Sequence, residues 1–134
     1  MTLGFVVLVA GCSGGSTDIG LAALAGDEWR LVRWTADGNP VTLVQGPKVT
    51  FAVTPEGNVS GSASVNRYVG KVTLTDAGKV TWGGGFATTR MAGPPQLMDQ
   101  ETRYLAALAK VDHASLAGRK LTLTGPGVVL EYER

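Results

Sequence analysis

Apolar and polar residues alternate through most of the chain beyond residue 24. In 48–54 every second residue is Val or Phe, and in 59–65 Val, Gly and Ala alternate with serines. A period of two is typical of strands with one buried face. Turn-forming residues recur about every 8 to 12 residues, as in antiparallel sandwiches and barrels. The predicted strands are 29–34, 48–54, 59–65, 71–75, 79–82, 86–90, 120–124 and 128–133.

The period becomes helical over about 95–110. Leu97, Tyr104 and Leu108 fall on one stripe, and the prolines at 94–95 suit a helix start, where a missing N–H costs nothing. We therefore predict a mainly β (α+β) fold. It consists of a single antiparallel, barrel-like sheet of about eight strands with one packed α-helix, and the helix covers an open end or seam of the barrel.

The N-terminal segment has the pattern of a lipoprotein leader. Residues 3–10 form an apolar run, too short to span a bilayer, which takes about 20 apolar residues, but suited to a secretory signal. The run ends Val9-Ala10-Gly11-Cys12, similar to the bacterial lipobox, in which the Cys thiol accepts a diacylglycerol. No Lys or Arg precedes Cys12, a departure from that pattern. The alternative is a Cys12 buried in an N-terminal strand.

This pattern predicts three regions. Residues 1–11 are a signal peptide, 12–23 carry the lipidated Cys12 and a flexible Gly/Ser tether, and 24–134 form the folded domain. We expect the protein to lie in the cell envelope, lipid-anchored on the extracytoplasmic side of a bacterial membrane.

Composition narrows the function classes. Twelve basic and eleven acidic residues give a net charge of +1, without the clustered Lys and Arg that nucleic acid requires. One Cys and one His exclude an internal disulfide and Cys-rich or multi-His metal sites. No nucleophile elbow leads into a helix. We predict no enzymatic activity, no metal, no cofactor and no nucleic-acid partner. An alternative to this prediction is a hydrolase that uses His113.

Five segments in order resemble the META domain family, also called HslJ-like, from residue 24 to the C terminus. They are LAGDEWRL (24–31), VSGSASVNRYVG (59–70), ATTRMAG (87–93), QLMDQETRYLAAL (96–108) and LAGRKLTL (116–123). The resemblance implies a β-rich, barrel-like domain with one packed helix, often carried on bacterial envelope lipoproteins. It also implies a link to heat shock through the family's name, and it brings no established enzymatic activity.

The chain departs from the family pattern at two positions. Many members have Cys directly before the motif Asn and another Cys after Met-Ala, where this chain has Val65 and Gly93. The resemblance therefore implies that these two segments are neighbours, which this chain joins by packing alone.

Glu101 is the first candidate site residue, because it interrupts the apolar stripe of the predicted helix. A buried carboxylate must be paired, or it costs several kcal/mol. Arg90 and Arg67 are the nearest basic residues by motif order, so we predict that one of them forms an Arg–Glu pair that pins the helix to the sheet. The alternative is a ligand-binding acid in a cavity.

The other candidates flank this residue in the motif. Asn66, Arg67 and Tyr68 follow a strand of small residues, where Asn suits a turn or bulge. Thr89 and Arg90 end a strand, either as the rim of a site or as an exposed strand end.

Tryptophans suggest a further surface. We expect two of the three in the core. Trp29 and Trp34 face opposite sides of a regular strand, so one of them is a candidate for an exposed partner surface.

The sequence therefore predicts a non-catalytic envelope lipoprotein that acts as an interaction or stress-related module. Its partners would be the membrane, through Cys12, and another envelope protein. The second hypothesis is a barrel that binds a small apolar molecule, since Gly61 and Ala63 share a face with larger apolar residues and leave room inside.

Overall fold

The computed structural model describes residues 20–46 and 48–134. Within these ranges the elements follow in the order α1 (Leu21–Leu24), β1 (Trp29–Ala36), β2 (Asn39–Pro40), β3 (Thr50–Val53), β4 (Asn58–Ser62), β5 (Arg67–Leu74), β6 (Val80–Trp82), β7 (Ala87–Thr88), α2 (Pro95–Ala109), β8 (His113–Ala117), β9 (Lys120–Gly125) and β10 (Val128–Glu133). The predicted helix is thus confirmed. Cys12 and the signal-peptide prediction lie outside the described residues.

Eight strands form one antiparallel sheet in the order β6-β5-β4-β3-β1-β10-β9-β8, with β2 beside β1 and β7 beside β5. A single bridge between Lys79 and His113 brings the two ends of this sheet together. Beside it, the N–H of Val80 donates to the carbonyl of Asp112 at 2.9 Å. The sheet is therefore a nearly closed barrel, and the predicted fold class is confirmed.

The two helices pack near opposite ends of β5. Tyr104 of α2 reaches the hydroxyl of Tyr68, near the start of β5, and is itself fully buried. Leu21 of α1 lines the same small cavity as Leu74, which is at the other end of β5. Leu24 is buried, and its carbonyl accepts a hydrogen bond from Trp29 Nε1 at 3.0 Å. The helical turn α1 ends at residue 24, where we predicted that the folded domain begins.

Several elements differ from the prediction. Strand β8 and helix α1 were not predicted, because small alanines and short length leave a faint pattern. The predicted strand 59–65 ends at Ser62, since the chain turns at Ser64, whose φ is +110°. Of the predicted strand 86–90, only the two residues of β7 pair. No helix in 20–46 or 48–134 is long and apolar enough to cross a membrane.

The exposed-tryptophan prediction is wrong for β1. The pairing of β1 with β10 shifts register between Leu31 and Arg33, which marks a β-bulge. An extra residue in one strand moves each later side chain of that strand to the opposite face of the sheet. Val32 and Arg33 therefore both face outward, and Trp34 turns inward, 3% exposed, beside the fully buried Trp29.

The three tyrosines form a chain of hydrogen bonds through the core. The hydroxyl of Tyr68 donates to the carbonyl of Thr50 at 2.6 Å and lies 3.1 Å from the hydroxyl of Tyr104. The Tyr104 hydroxyl in turn lies 2.8 Å from the hydroxyl of Tyr132. Because Tyr68 gives its proton to Thr50, the chain runs from Tyr132 through Tyr104 to Tyr68. Burial raises the pKa of all three hydroxyls well above the usual value, since a buried phenolate loses its hydration.

This network predicts how the fold fails at alkaline pH. A raised pKa in the folded state gives stabilisation that is complete below about pH 10, the pKa of an unfolded tyrosine, and is lost as the pH rises further. The loss reaches about 1.4 kcal/mol per pH unit for each tyrosine. The chain has three tyrosines, all in this network. Tyrosinate absorbance should therefore appear only together with loss of the far-ultraviolet circular dichroism. Tyrosinate formation near pH 10 with intact dichroism would contradict the network.

Candidate functional site

The site begins at the turn after β4. The N–H of Ala63 donates to the carbonyl of Asn66 at 2.8 Å and closes the turn. Ser64, within it, takes a positive φ that side-chain-bearing residues rarely adopt. Its hydroxyl accepts a hydrogen bond from Gln100 Nε2 at 2.7 Å, and Gln100 Oε1 accepts the N–H of Val44 at 2.7 Å. The turn is therefore tied to helix α2 on one side and to the loop before β3 on the other.

Glu101 follows Gln100 on helix α2 and is 6% exposed. Its Oε1 accepts the N–H groups of Val65 at 3.1 Å and Asn66 at 2.6 Å, and its Oε2 accepts Asn66 Nδ2 at 2.8 Å. Hydrogen bonds from N–H groups to a carboxylate are about twice as strong as neutral ones. The buried charge is thus satisfied by three N–H donors.

The prediction that Arg90 or Arg67 pairs with Glu101 is wrong. None of the ion pairs among the described residues involves either arginine. The turn aims two successive backbone N–H groups at the helix, and with the Asn66 amide they give both carboxylate oxygens a donor without a guanidinium. Arg67 and Arg90 are both exposed instead.

The side chain of Asn66 uses its full hydrogen-bonding capacity. Besides Glu101, its Nδ2 donates to the carbonyl of Met91 at 3.0 Å. Its Oδ1 accepts the N–H of Met91 at 2.6 Å and the hydroxyl of Thr89 at 2.8 Å. Two donors and two accepting positions are all an amide has. Asn66 therefore joins the turn, the segment 89–91 and helix α2, and the expected structural role for this residue is the one the geometry supports.

An open depression of about 340 Å³ lies over this network. Its lining consists of Asn66, Thr88, Thr89, Arg90, Met91, Ala92, Met98 and Glu101. Met91 is 56% exposed. Arg67 of β5 lies beside the depression, where its backbone N–H donates to the hydroxyl of Thr89 at 3.1 Å. We call this surface, with Arg67, the motif depression.

The structure thus brings together five of the six motif residues named from the sequence. Tyr68 is the exception, since it points into the core. Gln100 was missed: its signal, a polar residue beside Glu101 on the helix, did not distinguish it from a solvated position. In the described part of the chain no cluster of three or more His, Cys, Asp or Glu residues is arranged to hold a metal.

The segments that hold Val65 and Gly93 are neighbours, as the family resemblance implied. A Cβ atom built on Gly93 would lie 2.7 Å from Cγ2 of Val65 and 3.6 Å from its Cβ. The Val65 side chain therefore occupies the space next to Gly93, and packing joins the two segments.

A small apolar cavity of about 20 Å³ lies in the barrel interior under α1. That is room for about one water molecule. The space beside Gly61 is filled, because an added Cβ would collide with the Thr50 carbonyl and the Tyr68 ring. His113 is exposed at the start of β8, on the closing seam of the barrel and outside the lining of the motif depression.

A model of the META domain matches residues 22–134, which contain every element from β1 to β10 and the residues of the motif depression. The chain belongs to the META domain family. No curated protein matches the chain.

Solved structures share the architecture of this META domain. An NMR structure of a protein from Burkholderia xenovorans is 28% identical, with a TM-score of 0.71 over 85% of each chain. A second NMR structure is 26% identical, with a TM-score of 0.62 over 86% of this chain and 94% of that one. The crystal structure of a duf4847 family protein from Bacteroides vulgatus is 11% identical, with a TM-score of 0.61 over 84% and 94%, and shows a shared fold alone.

The Glu101 network predicts the effect of removing its charge. Glu101→Gln keeps the size but turns an NH₂ group toward N–H donors, so the free energy of unfolding should fall by about 2 to 3 kcal/mol in urea denaturation. Arg90→Ala and Asp99→Asn, an exposed change on the same helix, should each cost less than about 0.5 kcal/mol. A loss at Arg90→Ala that equals the loss at Glu101→Gln would restore the ion-pair model.

The Val65–Gly93 contact predicts a disulfide. The Cβ separation of 3.6 Å lies within the range of natural disulfides. In a Cys12→Ser background, Val65→Cys with Gly93→Cys should oxidise spontaneously and raise the free energy of unfolding by about 3 to 4 kcal/mol over the reduced form, because it closes a loop of about 30 residues. The reduced double variant is the control. A pair that stays reduced in air would show that the two segments do not meet in this way.

Proposed function

We propose that this META domain is a non-catalytic interaction module of a bacterial envelope lipoprotein, and that the motif depression is its partner-binding surface. The observation that carries the proposal is the contrast between the buried floor of the depression and its exposed rim. The polar side chains of the floor, Asn66 and Glu101, are hydrogen-bonded within the domain, while Met91 on the rim is 56% exposed.

The floor supports binding by shape. The Asn66 amide has no hydrogen-bonding capacity left for a ligand, and Glu101 already accepts three N–H bonds. Asn66 also fixes the segment 89–91 through the Met91 backbone. The rim is therefore held in place by buried bonds. Methionine side chains adapt to different apolar surfaces, which suits Met91 and the half-buried Met98 to a protein contact.

The same floor argues against catalysis at this place. Among the lining residues the charged side chains are Glu101 and Arg90. A general base needs a lone pair within reach of a substrate proton, and three of the roughly four lone-pair positions of the Glu101 carboxylate are already occupied by N–H groups of the protein. The filled barrel interior likewise argues against the small-ligand hypothesis, since a cavity of about 20 Å³ accommodates no apolar ligand without rearrangement.

The lipid anchor is the second part of the proposal. The lipobox-like run ends at Cys12, and a Gly/Ser-rich stretch separates it from α1. A tether of this composition lets the domain stand off a membrane surface. The depression would then face other envelope components.

Photo-crosslinking tests the interaction surface. With the anchor intact, a photoreactive phenylalanine in place of Met91 should give a discrete adduct in whole cells. The matched control replaces Val32, which is 40% exposed on the outer face of β1. Equal adducts at both positions, or none at Met91, would reject the depression as the binding surface.

Fractionation tests the anchor separately. Cys12→Ser should move the protein from the membrane to the soluble fraction, because the thiol is the group that would carry the lipid. Ser13→Ala, next to it, should leave the distribution unchanged. Retention of the Cys12→Ser variant in the membrane fraction would rule out lipidation at this position.

A further inference from the structure

We infer that the motif depression takes an extended, acidic segment of a partner protein, which adds as a strand to the free edge of β7. This inference rests on the proposed function and names the chemistry of the partner.

Strand β7 has a free edge. Among the described residues it pairs with β5 alone, with Tyr68 opposite Thr88 and Val69 opposite Ala87. The N–H of Thr89 donates to the carbonyl of Arg67 at 3.1 Å. Inward and outward hydrogen-bonding positions alternate along an antiparallel strand, so the N–H and C=O of Thr88 point away from β5. An exposed edge of this kind is a template for an added strand.

Apolar surface lies next to that edge. Met91, three residues after Thr88, and Met98 of α2 line the same depression as Thr88. In strand addition the main chain gives affinity, and alternate side chains enter neighbouring pockets. The methionines would contact every second side chain of the added segment, so those side chains should be apolar.

The charges beside the depression are positive. Arg90 lines it, and Arg67 lies next to it on β5, where its backbone N–H donates to the Thr89 hydroxyl. Both arginines are exposed, and in the described part of the chain neither forms an ion pair. The acid of the depression, Glu101, has both oxygens occupied by N–H donors. Two guanidinium groups without a counter-charge favour carboxylates on the partner, since Arg binds them with paired hydrogen bonds.

An anionic membrane surface fits these observations less well. Lipid recognition by charge takes a cluster of about four to eight Lys or Arg residues. The depression offers two, in a chain whose net charge is +1. A free strand edge has no role in binding lipid headgroups.

The test is selection from a display library of random dodecapeptides against the full chain carrying Cys12→Ser. The selected peptides should be rich in Asp and Glu that alternate with apolar residues. Their affinity should fall at least about tenfold for Arg67→Glu and for Arg90→Glu. Arg119→Glu makes the same charge change at an exposed arginine outside the depression, and it should alter the affinity less than about twofold.

A backbone variant tests strand addition itself. Thr88→Pro removes an N–H that points away from β5, and proline is tolerated on edge strands. The variant should keep the wild-type circular dichroism and lose peptide binding at least about tenfold.

Four results would overturn the inference. One is selection without acidic enrichment, and another is peptide affinity that the Arg67 and Arg90 variants leave unchanged. The third is arginine-dependent binding to phosphatidylglycerol vesicles with no peptide selected. A crosslinked partner at Met91 that lacks an acidic segment would defeat this inference and leave the proposed interaction function standing.

Discussion

The carboxylate of Glu101 must lose its water for helix α2 to lie against the barrel, and an unpaired carboxylate in that position costs several kcal/mol. The turn at 63–66 meets this need with two backbone N–H groups and the amide of Asn66. The same amide fixes the backbone at Met91. One buried charge therefore sets the position of the helix, the shape of the turn and the rim of the motif depression together.

The barrel interior serves stability. Tyrosines and apolar side chains fill most of it, and the cavity under α1 measures about 20 Å³. The hydroxyls of Tyr132, Tyr104 and Tyr68 satisfy one another and end on the Thr50 carbonyl, so these three buried hydroxyls are not left to a ligand. A fold shared at 11% identity carries no function by itself, so the function proposed for this domain is inferred from its outer surface at the motif depression.

Local pattern was enough to predict most of the sheet and the helix. The alternation in 48–54 and the stripe through Tyr104 and Leu108 each depend on short-range periodicity, which the structure follows. The bulge in β1 has no such signal, because one extra residue changes facing without changing composition. Trp34 was therefore assigned to the wrong face.

The site shows the same limit in a different form. The motif residues were found by pattern, and Asn66, Thr89, Arg90 and Glu101 do meet in space. Their bonding was not predictable, because an Arg–Glu pair was inferred from charge, whereas two of the three donors to Glu101 are backbone N–H groups that nearly any residue carries. Only the turn geometry, with Ser64 at φ +110°, aims them at the helix.

A double-mutant cycle between Asn66 and Glu101 tests the central claim most directly. The single variants Asn66→Ala and Glu101→Gln and their combination would be compared by urea unfolding. The two residues form one hydrogen-bonded unit, so the free-energy changes should be non-additive, with a coupling of about 1 to 3 kcal/mol. Losses that add to within about 0.5 kcal/mol would show that the buried carboxylate and the amide act independently, and would contradict the account.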